Sequence, residues 1–479
     1  MRDLLKKWNV KSTGQKVAWF MVFAVALMLF VTYLLSVFRS FCNADAGYYI
    51  GVTELIHKGY VPYRDFQTSY TPVFFYLMQI SCWLTGSHFS YGVFLATVYF
   101  IAFVDAFCIA KIVKRLGGGK MVSIISALAF GGLYYYLEGA YCILEGAVVL
   151  FGLICLYLLL GDRTKLSVLF AGIFAGLSFL TKQYGLVFAA AAGILLLFYE
   201  KCWRDRIAKC VVLVAGFFIP IAVSIVLFAM AGLSFKELVD ALNGSGYGVR
   251  SYSSMIDGVV RLLKLFPFLL LTPVLFFKRK EETLGLTIAC LIGLVLSMFQ
   301  FFFNNFGHYY IIVLPFVVVL AVLLWQNSTK RKTLFYVLIC VFCTLGAVVL
   351  QEDYKCAKSM AKHNLRAKQL ETSACLKQAI ERYGLHNCLC YMQTMPMYAL
   401  CPIQPSAMKE YAFSFGWDTD ETMSERLADA DCAVIGVKDL KSMCFPMFLE
   451  KLENSFSLEF ETEEANIYVR KTLIEVSHE

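Results

Sequence analysis

Pro72-Val73-Phe74-Phe75-Tyr76-Leu77-Met78-Gln79-Ile80-Ser81-Cys82-Trp83-Leu84-Thr85-Gly86 decides the topology of this chain. The stretch is apolar but only about 15 residues long, whereas a helix crossing a bilayer needs about 20. Counted as a crossing, it moves the basic cluster Lys111, Lys114, Arg115 and Lys120 to the other side of the membrane and inverts every later loop. Laid along the membrane surface, it leaves a regular alternation of basic and base-poor loops. Residues 39–89 then form one large external loop with two short helices, at about 45–58 and 72–85.

Outward from this loop, eleven apolar segments read as crossings. The first, Val17 to Phe38, is too long for a secretory apolar region and has no small-residue cleavage site behind it, so it reads as a retained helix. The others lie near 90–112, 121–138, 145–160, 166–181, 185–199, 209–231, 259–277, 284–303, 309–325 and 334–350. With a cytoplasmic N-terminus, every second loop should be rich in Lys and Arg. The clusters fall in phase: Lys6, Lys7, Lys11 and Lys16; Lys111 to Lys120; Arg163 and Lys165; Lys201, Arg204, Arg206 and Lys209; Lys278, Arg279 and Lys280; Lys330, Arg331 and Lys332. Eleven crossings from that start place residues 351–479 outside a cell membrane.

Composition agrees with this division. The 479 residues are 59% hydrophobic and 16% charged, against roughly 25% charged for a soluble domain. A soluble enzyme, a disordered chain and a disulfide-rich secreted module are excluded. Residues 1–350 carry 44 charges, net +14, and residues 351–479 carry 34, net −6. The expected architecture is mainly α: a membrane domain, 1–350, followed by a small extracytoplasmic α/β domain, 351–479. In the latter, helical patterns at 355–382 and 418–430 alternate with strands at Asn387–Met392 and Asp431–Val437 and a hairpin near 456–471. The net charge of +8 sums opposite parts and implies no nucleic-acid partner.

The external side collects the acids of the membrane domain. Asp45, in Asn43-Ala44-Asp45-Ala46-Gly47-Tyr48-Tyr49, opens the first short helix, where an N-cap and a reactive carboxylate are equally good readings. Glu138 and Glu145, seven residues apart, share one face if that segment is helical. Glu54 and Asp65 read as surface or turn acids. Asp105 falls inside the second crossing, where an unpaired charge costs several kcal/mol, so a partner or polar cavity is expected for it. Lys182, in Leu180-Thr181-Lys182-Gln183-Tyr184-Gly185, is basic on the base-poor side. It reads either as a snorkelling anchor or as a phosphate ligand. Asn304-Asn305-Phe306-Gly307-His308-Tyr309-Tyr310 lies on the same side; its tyrosines suit an interfacial belt, and His308 adds a phosphate or hydroxyl contact. Cys340-x-x-Cys343 falls inside a crossing, and seven of the 17 cysteines lie in the external domain, an odd number that forbids complete pairing. There is no Walker A loop, dinucleotide glycine turn, HExxH or zinc spacing.

These landmarks, taken in order, resemble the GT-C glycosyltransferases. An Asp after the first crossing is followed by Gly59-Tyr60-Val61-Pro62-Tyr63-Arg64-Asp65-Phe66 and by Thr71-Pro72 opening a short apolar helix. That order resembles glycosyltransferase family 39, with the protein O-mannosyltransferases and lipid A aminoarabinose transferases among its relatives. Leu180 to Gly185 and His308-Tyr309-Tyr310 to Pro315 look like later landmarks. Two positions depart from the pattern: Ala46 stands where a second acid is frequent, and Tyr70-Thr71 replaces a Glu-Lys pair. The resemblance implies inverting transfer of one sugar from a polyprenyl-phosphate carrier to an acceptor hydroxyl of a glycan, lipid or protein on the extracytoplasmic face. By position Asp45 matches the catalytic acid, and Glu145, with Glu138, an acidic position of the second external loop.

The chemistry is self-consistent. A lipid phosphate already leaves well near neutral pH, so the reaction asks for a base at the acceptor hydroxyl and for cations or donors at the departing phosphate. Asp45 suits the first role. Lys182, with His308, Arg250 and Tyr309, suits the second. No cofactor is expected beyond the lipid-linked donor. A transporter or flippase of lipid-linked sugars is the main alternative, and an inactive scaffold for envelope-polymer assembly is the third.

Overall fold

The computed structural model describes residues 44–68, 70–85, 91–134, 137–138, 143–200, 202–243, 251–277, 281–303, 306–327, 365–391, 394–406 and 419–477, with helical positions 20, 24, 27 and 31. The crossing expected at 334–350, most of that at 17–38, and Cys340-x-x-Cys343 lie outside these residues, as do Arg250 and Asn304-Asn305. The chain before the C-terminal domain forms thirteen helices among the described residues. The segment expected to be the first external loop contributes α1 (Ala44–His57) and α2 (Val73–Thr85), close in extent to the two short helices read from sequence. Next come α3 (Tyr91–Arg115), α4 (Lys120–Tyr134), α5 (Glu145–Leu159), α6 (Lys165–Thr181), α7 (Leu186–Tyr199) and α8 (Trp203–Met230). They are followed by α9 (Phe235–Asn243), α10 (Tyr252–Leu265), α11 (Val274–Phe277), α12 (Glu281–Ser297) and α13 (Tyr309–Asn327).

Among the described residues four helices are long and apolar enough to cross a membrane, and a fifth candidate is a bent pair. The bend corrects the expectation of one straight crossing at 259–277. Tyr252–Leu265 and Pro267–Phe276 meet at 87°. Pro267 has no N–H to continue the ladder and drives Phe266 out of helical geometry, to φ −130 and ψ 63. For the segment expected at 121–138, the described residues give α4 to Tyr134 and a π-helical turn at Leu137 and Glu138, and α5 begins at Glu145.

The described residues fall into two compact units, one drawn from 1–33, 98–224 and 249–355, the other from 34–97, 225–248 and 356–479. In the first, α13 is the centre: 78% of its most apolar window is buried, against 22% for α8, so α8 faces outward. Helices approach through glycine. A methyl group at Gly172 would lie 2.2 Å from the Leu213 carbonyl oxygen, and one at Gly216 2.3 Å from that of Leu169, so α6 and α8 meet backbone to backbone, as small residues allow in membranes. Ser178 ties α6 to α5 by donating to the Val148 carbonyl at 2.8 Å. Arg163 of the α5–α6 loop and Lys209 of α8 converge on Glu200, at 3.2 Å and 2.7 Å.

In the second unit the first loop is pinned by its own polar groups. The Asp65 carboxylate accepts the Val61 N–H at 2.7 Å and pairs with Arg64, which makes it the turn acid read from sequence. Tyr48 donates to Thr68 at 2.8 Å, and Tyr63 to the Tyr70 carbonyl at 2.6 Å. Tyr63 also packs with Phe228 of α8, Leu238 of α9 and Leu233 between them.

The C-terminal part contains α14 (Leu365–Tyr383), β1 (Asn387–Tyr391), α15 (Met397–Leu400), β2 (Gln404–Pro405) and α16 (Asp420–Ala428). Then come β3 (Cys432–Gly436), α17 (Val437–Ser442), α18 (Pro446–Ser455), β4 (Phe456–Glu461), β5 (Ala465–Arg470) and α19 (Lys471–Val476). The sheet order is β2-β1-β3-β5-β4, parallel from β2 to β3 and antiparallel beyond. Side chains alternate along each strand. Leu389, Ala433 and Ile435 join Met423, Leu427, Phe448 and Leu452 in one apolar core. The six described cysteines of this part are free thiols.

Candidate functional site

Two acid–base pairs meet in the first unit. The chain leaves α6 at Lys182, which is extended at φ −160 and ψ 140, makes a 3₁₀ turn over Gln183–Gly185, and enters α7. The turn is tight because Gly185 lies on the end of α6: a methyl group there would come within 2.3 Å of the Ser178 carbonyl. Lys182 therefore stands at the C-terminus of one helix, and Glu145 at the N-terminus of the neighbouring one. Both charges sit at the helix end whose dipole favours them. The Lys182 Nζ donates to Glu145 Oε1 at 2.5 Å, with side-chain exposures of 4% and 1%. An unpaired ion at this depth costs several kcal/mol, so each charge is the condition for burying the other. The snorkelling reading is thereby corrected, since the ammonium points to a carboxylate and not to water.

The aromatic groups around Lys182 come from two segments. Its Nζ lies 4.7 Å from the centre of the Tyr309 ring and 5.5 Å from that of Tyr184. Both rings place electron density against the cation. Tyr309 touches His308 edge to face at 4.8 Å, and His308 Nδ1 lies 2.9 Å from Glu138 Oε2, which also accepts the His308 backbone N–H at 3.2 Å. The hydrogen bond from the His308 side chain holds the Glu138 carboxyl below the usual carboxylate range. Glu138 itself has φ +68, a left-handed geometry that costs a non-glycine residue about 1–2 kcal/mol. Its carboxylate reaches the 306–309 turn because Gly307 has no side chain; a methyl there would stand 2.8 Å from it.

The structure thus brings Glu138, Glu145, Lys182, His308 and Tyr309 together, and adds Tyr184. Glu138 and Glu145 do not share a helix face, because Leu144 and Ile143 precede α5 outside any helix; they meet through His308 and Lys182 instead. Asp45 is half-buried in the first turn of α1, in the other unit. Asp105 has no partner for either oxygen among the described residues, although it is fully buried, so the expected partner is missing there. Among the described residues no three His, Cys, Asp or Glu side chains are placed to hold a metal ion.

Sequence reasoning missed the Glu145–Lys182 pair and Tyr184. The signal for the pair was present: α5 and α6 form a hairpin with a short connection, so the start of one and the end of the other must be neighbours. Tyr184 stood two residues from Lys182 in a stretch already singled out.

No protein-family profile matches the sequence, and no curated protein matches it. Solved structures do. ArnT from Cupriavidus metallidurans in the apo state superposes with a TM-score of 0.65 at 12% identity, over 96% of this chain and 99% of that one. The same protein bound to undecaprenyl phosphate gives 0.62 at 12% identity, over 94% and 97%. The apo oligosaccharyltransferase of Archaeoglobus fulgidus gives 0.53 at 12% identity, over 97% of this chain and 75% of that one. All three are polytopic GT-C structures, and the superpositions run through both the helical part and the C-terminal sheet. The chain has the GT-C fold.

Proposed function

We propose that this protein is an integral-membrane, inverting glycosyltransferase. It moves a monosaccharide, hexosyl or pentosyl, from a polyprenyl-phosphate carrier to an acceptor hydroxyl on the extracytoplasmic face. The observation that carries this reading is the GT-C superposition over nearly the whole of both chains, with ArnT among the matches in a form bound to undecaprenyl phosphate. The N-terminus is cytoplasmic in this proposal and residues 351–479 are external, on the strength of the in-phase basic loops.

Asp45 is the general base that takes the acceptor hydroxyl proton as the oxygen attacks the sugar's anomeric carbon. The bond from that carbon to the phosphate oxygen breaks, and the phosphate leaves with the electron pair. Lys182 and His308 supply charge and hydrogen bonds to the departing phosphate, as does Arg250, and Tyr309 orients the first two. Lys182, held by Glu145, brings its positive charge to that phosphate. Glu138 holds the His308 ring. The acceptor is a glycan, lipid or protein.

The test is direct. Purified protein is supplied with a panel of polyprenyl-phosphate monosaccharides, and free polyprenyl phosphate is measured. Release from at least one donor is expected; a panel left intact under all acceptor conditions overturns the reading.

A further inference from the structure

The helix that carries Asp45 contains two glycines, Gly47 and Gly51, one turn apart on one face. Both lie against the connection that leaves β1 of the C-terminal sheet, within the same compact unit. A methyl group at Gly47 would fall 2.6 Å from the Pro396 nitrogen and 2.9 Å from the Met395 carbonyl carbon. One at Gly51 would fall 3.2 Å from the Tyr398 Cβ. The first contact is backbone on backbone, so nothing soft lies between helix and loop.

That loop is tied to the sheet by a second set of bonds. The Tyr398 hydroxyl accepts the Cys390 N–H at 2.9 Å and donates to the Cys388 carbonyl at 3.0 Å. Thr394 Oγ1 accepts the Tyr391 N–H at 2.9 Å and donates to the Val434 carbonyl at 2.7 Å. Met395, Met397 and Tyr398 are all buried. Beyond the far end of α1, Tyr60 donates to Gln404 of β2 at 3.0 Å, and Gln404 donates to Asn387 of β1 at 2.7 Å. The sheet therefore grips the Asp45 segment near its start and again past its end. At about 100° per residue, Asp45 and Gly47 point roughly 200° apart, so the loop presses on the face away from the Asp45 side chain.

We infer that the Thr394–Tyr398 loop is a positioning element for Asp45, which makes the C-terminal domain a participant in the transfer step. The inference rests on the reading of Asp45 as general base. Gly47, Gly51 and Tyr398 are the positioning residues, acting through the helix and not on substrate. A shift of about 1 Å at a reacting group can cost about 10²-fold in rate, and an added methyl at Gly47 demands displacement of that order.

The experiment uses the full-length protein and the undecaprenyl-phosphate monosaccharide that the wild type consumes. Gly47→Ala, Gly51→Ala and Tyr398→Phe are each made alone and in combination with Asp45→Asn. Tyr398→Phe keeps the ring and removes the hydroxyl's ties to β1, so it serves if Gly47→Ala does not fold. Expected are losses in kcat of about 10- to 100-fold for Gly47→Ala, smaller ones for the other two, and donor KM values within about twofold of wild type. In the Asp45→Asn background the same changes should add little, because residues acting as one unit are not additive. Normal kcat in the folded single variants overturns the inference while the base assignment stands. Losses that add in full to that of Asp45→Asn also overturn it, since they mark general destabilisation. A fully active Asp45→Asn protein removes the base assignment and this inference together.

Discussion

The pairs Glu145–Lys182 and Glu138–His308 share a site but not an environment. The first has side-chain exposures of 1% and 4%, the second of 42% and 17%. A buried pair is expensive to break and contributes a fixed field; a half-exposed pair contributes little to stability and remains open to water and substrate. The comparison separates two jobs that one cluster performs. Lys182 and Glu145 are part of the packing of α5 on α6, whereas His308 and Glu138 form an adjustable polar edge held in place by a strained backbone at Glu138.

The sharpest way to break this contrast is Lys182→Ala. It leaves Glu145 buried and uncompensated, and should cost about 3–5 kcal/mol of stability, read as a large fall in melting temperature. Lys182→Met with Glu145→Gln removes both charges at similar volume and should recover most of that loss. Transfer should stay down by about 10²–10³-fold, the usual size for removing one charge-stabilising donor. A double variant that is stable and fully active would make the pair purely structural.

His308→Gln should behave in the opposite way. Transfer is expected to fall about 10- to 100-fold while stability changes by less than about 1 kcal/mol, because the pair is partly solvated. A stability loss as large as that of Lys182→Ala would erase the distinction between the two pairs.

The pH dependence sharpens the same point. Glu138 is held below its ordinary 4.5 by its hydrogen bond with His308. A depressed folded value means that its contribution is fully present above about pH 4.5 and is lost as the pH falls through the folded value. Glu138→Gln should therefore flatten the acid limb of stability below about pH 4.5, as followed by thermal melts.

The smallest effect is expected far from the cluster. Burial pushes Glu464, in the β4–β5 turn, up from 4.5 to about 7. A raised carboxylate stabilises the fold at low pH and loses that contribution as pH rises from about 4.5 through 7. Glu464→Gln should remove this decline, giving a protein slightly more stable than wild type at pH 8 and no more stable at pH 4.

Much of the fold was legible because its signals are long and redundant. Among the described residues eight of the expected apolar segments coincide with helices, a ninth is bent at Pro267, and Val73–Thr85 forms a short helix. The strands at Asn387 and Cys432 are short apolar runs buried on both faces, which is what makes them readable. Other features were hidden in short or distant signals. β2 has only two residues, too few for any pattern. The bend after Leu265 rests on a single residue, Pro267, inside an otherwise continuous apolar run. Gly47 and Gly51 look like weak points of a helix, each costing about 1 kcal/mol relative to Ala, until the loop that needs the space is known. In the candidate site the residue types were readable, but the pairing was not: Lys182 and Glu145 lie 37 positions apart, Glu138 and His308 170.

The central claim is that a glycosidic bond is made at the expense of a lipid phosphate. Proteoliposomes containing the full chain, loaded on one side with an undecaprenyl-phosphate monosaccharide and an acceptor alcohol, test it most directly. The account predicts one free undecaprenyl phosphate for each glycoside formed, with the anomeric configuration inverted. Donor that crosses the bilayer intact, with no glycoside and no free carrier phosphate, would contradict it and mark the protein as a transporter.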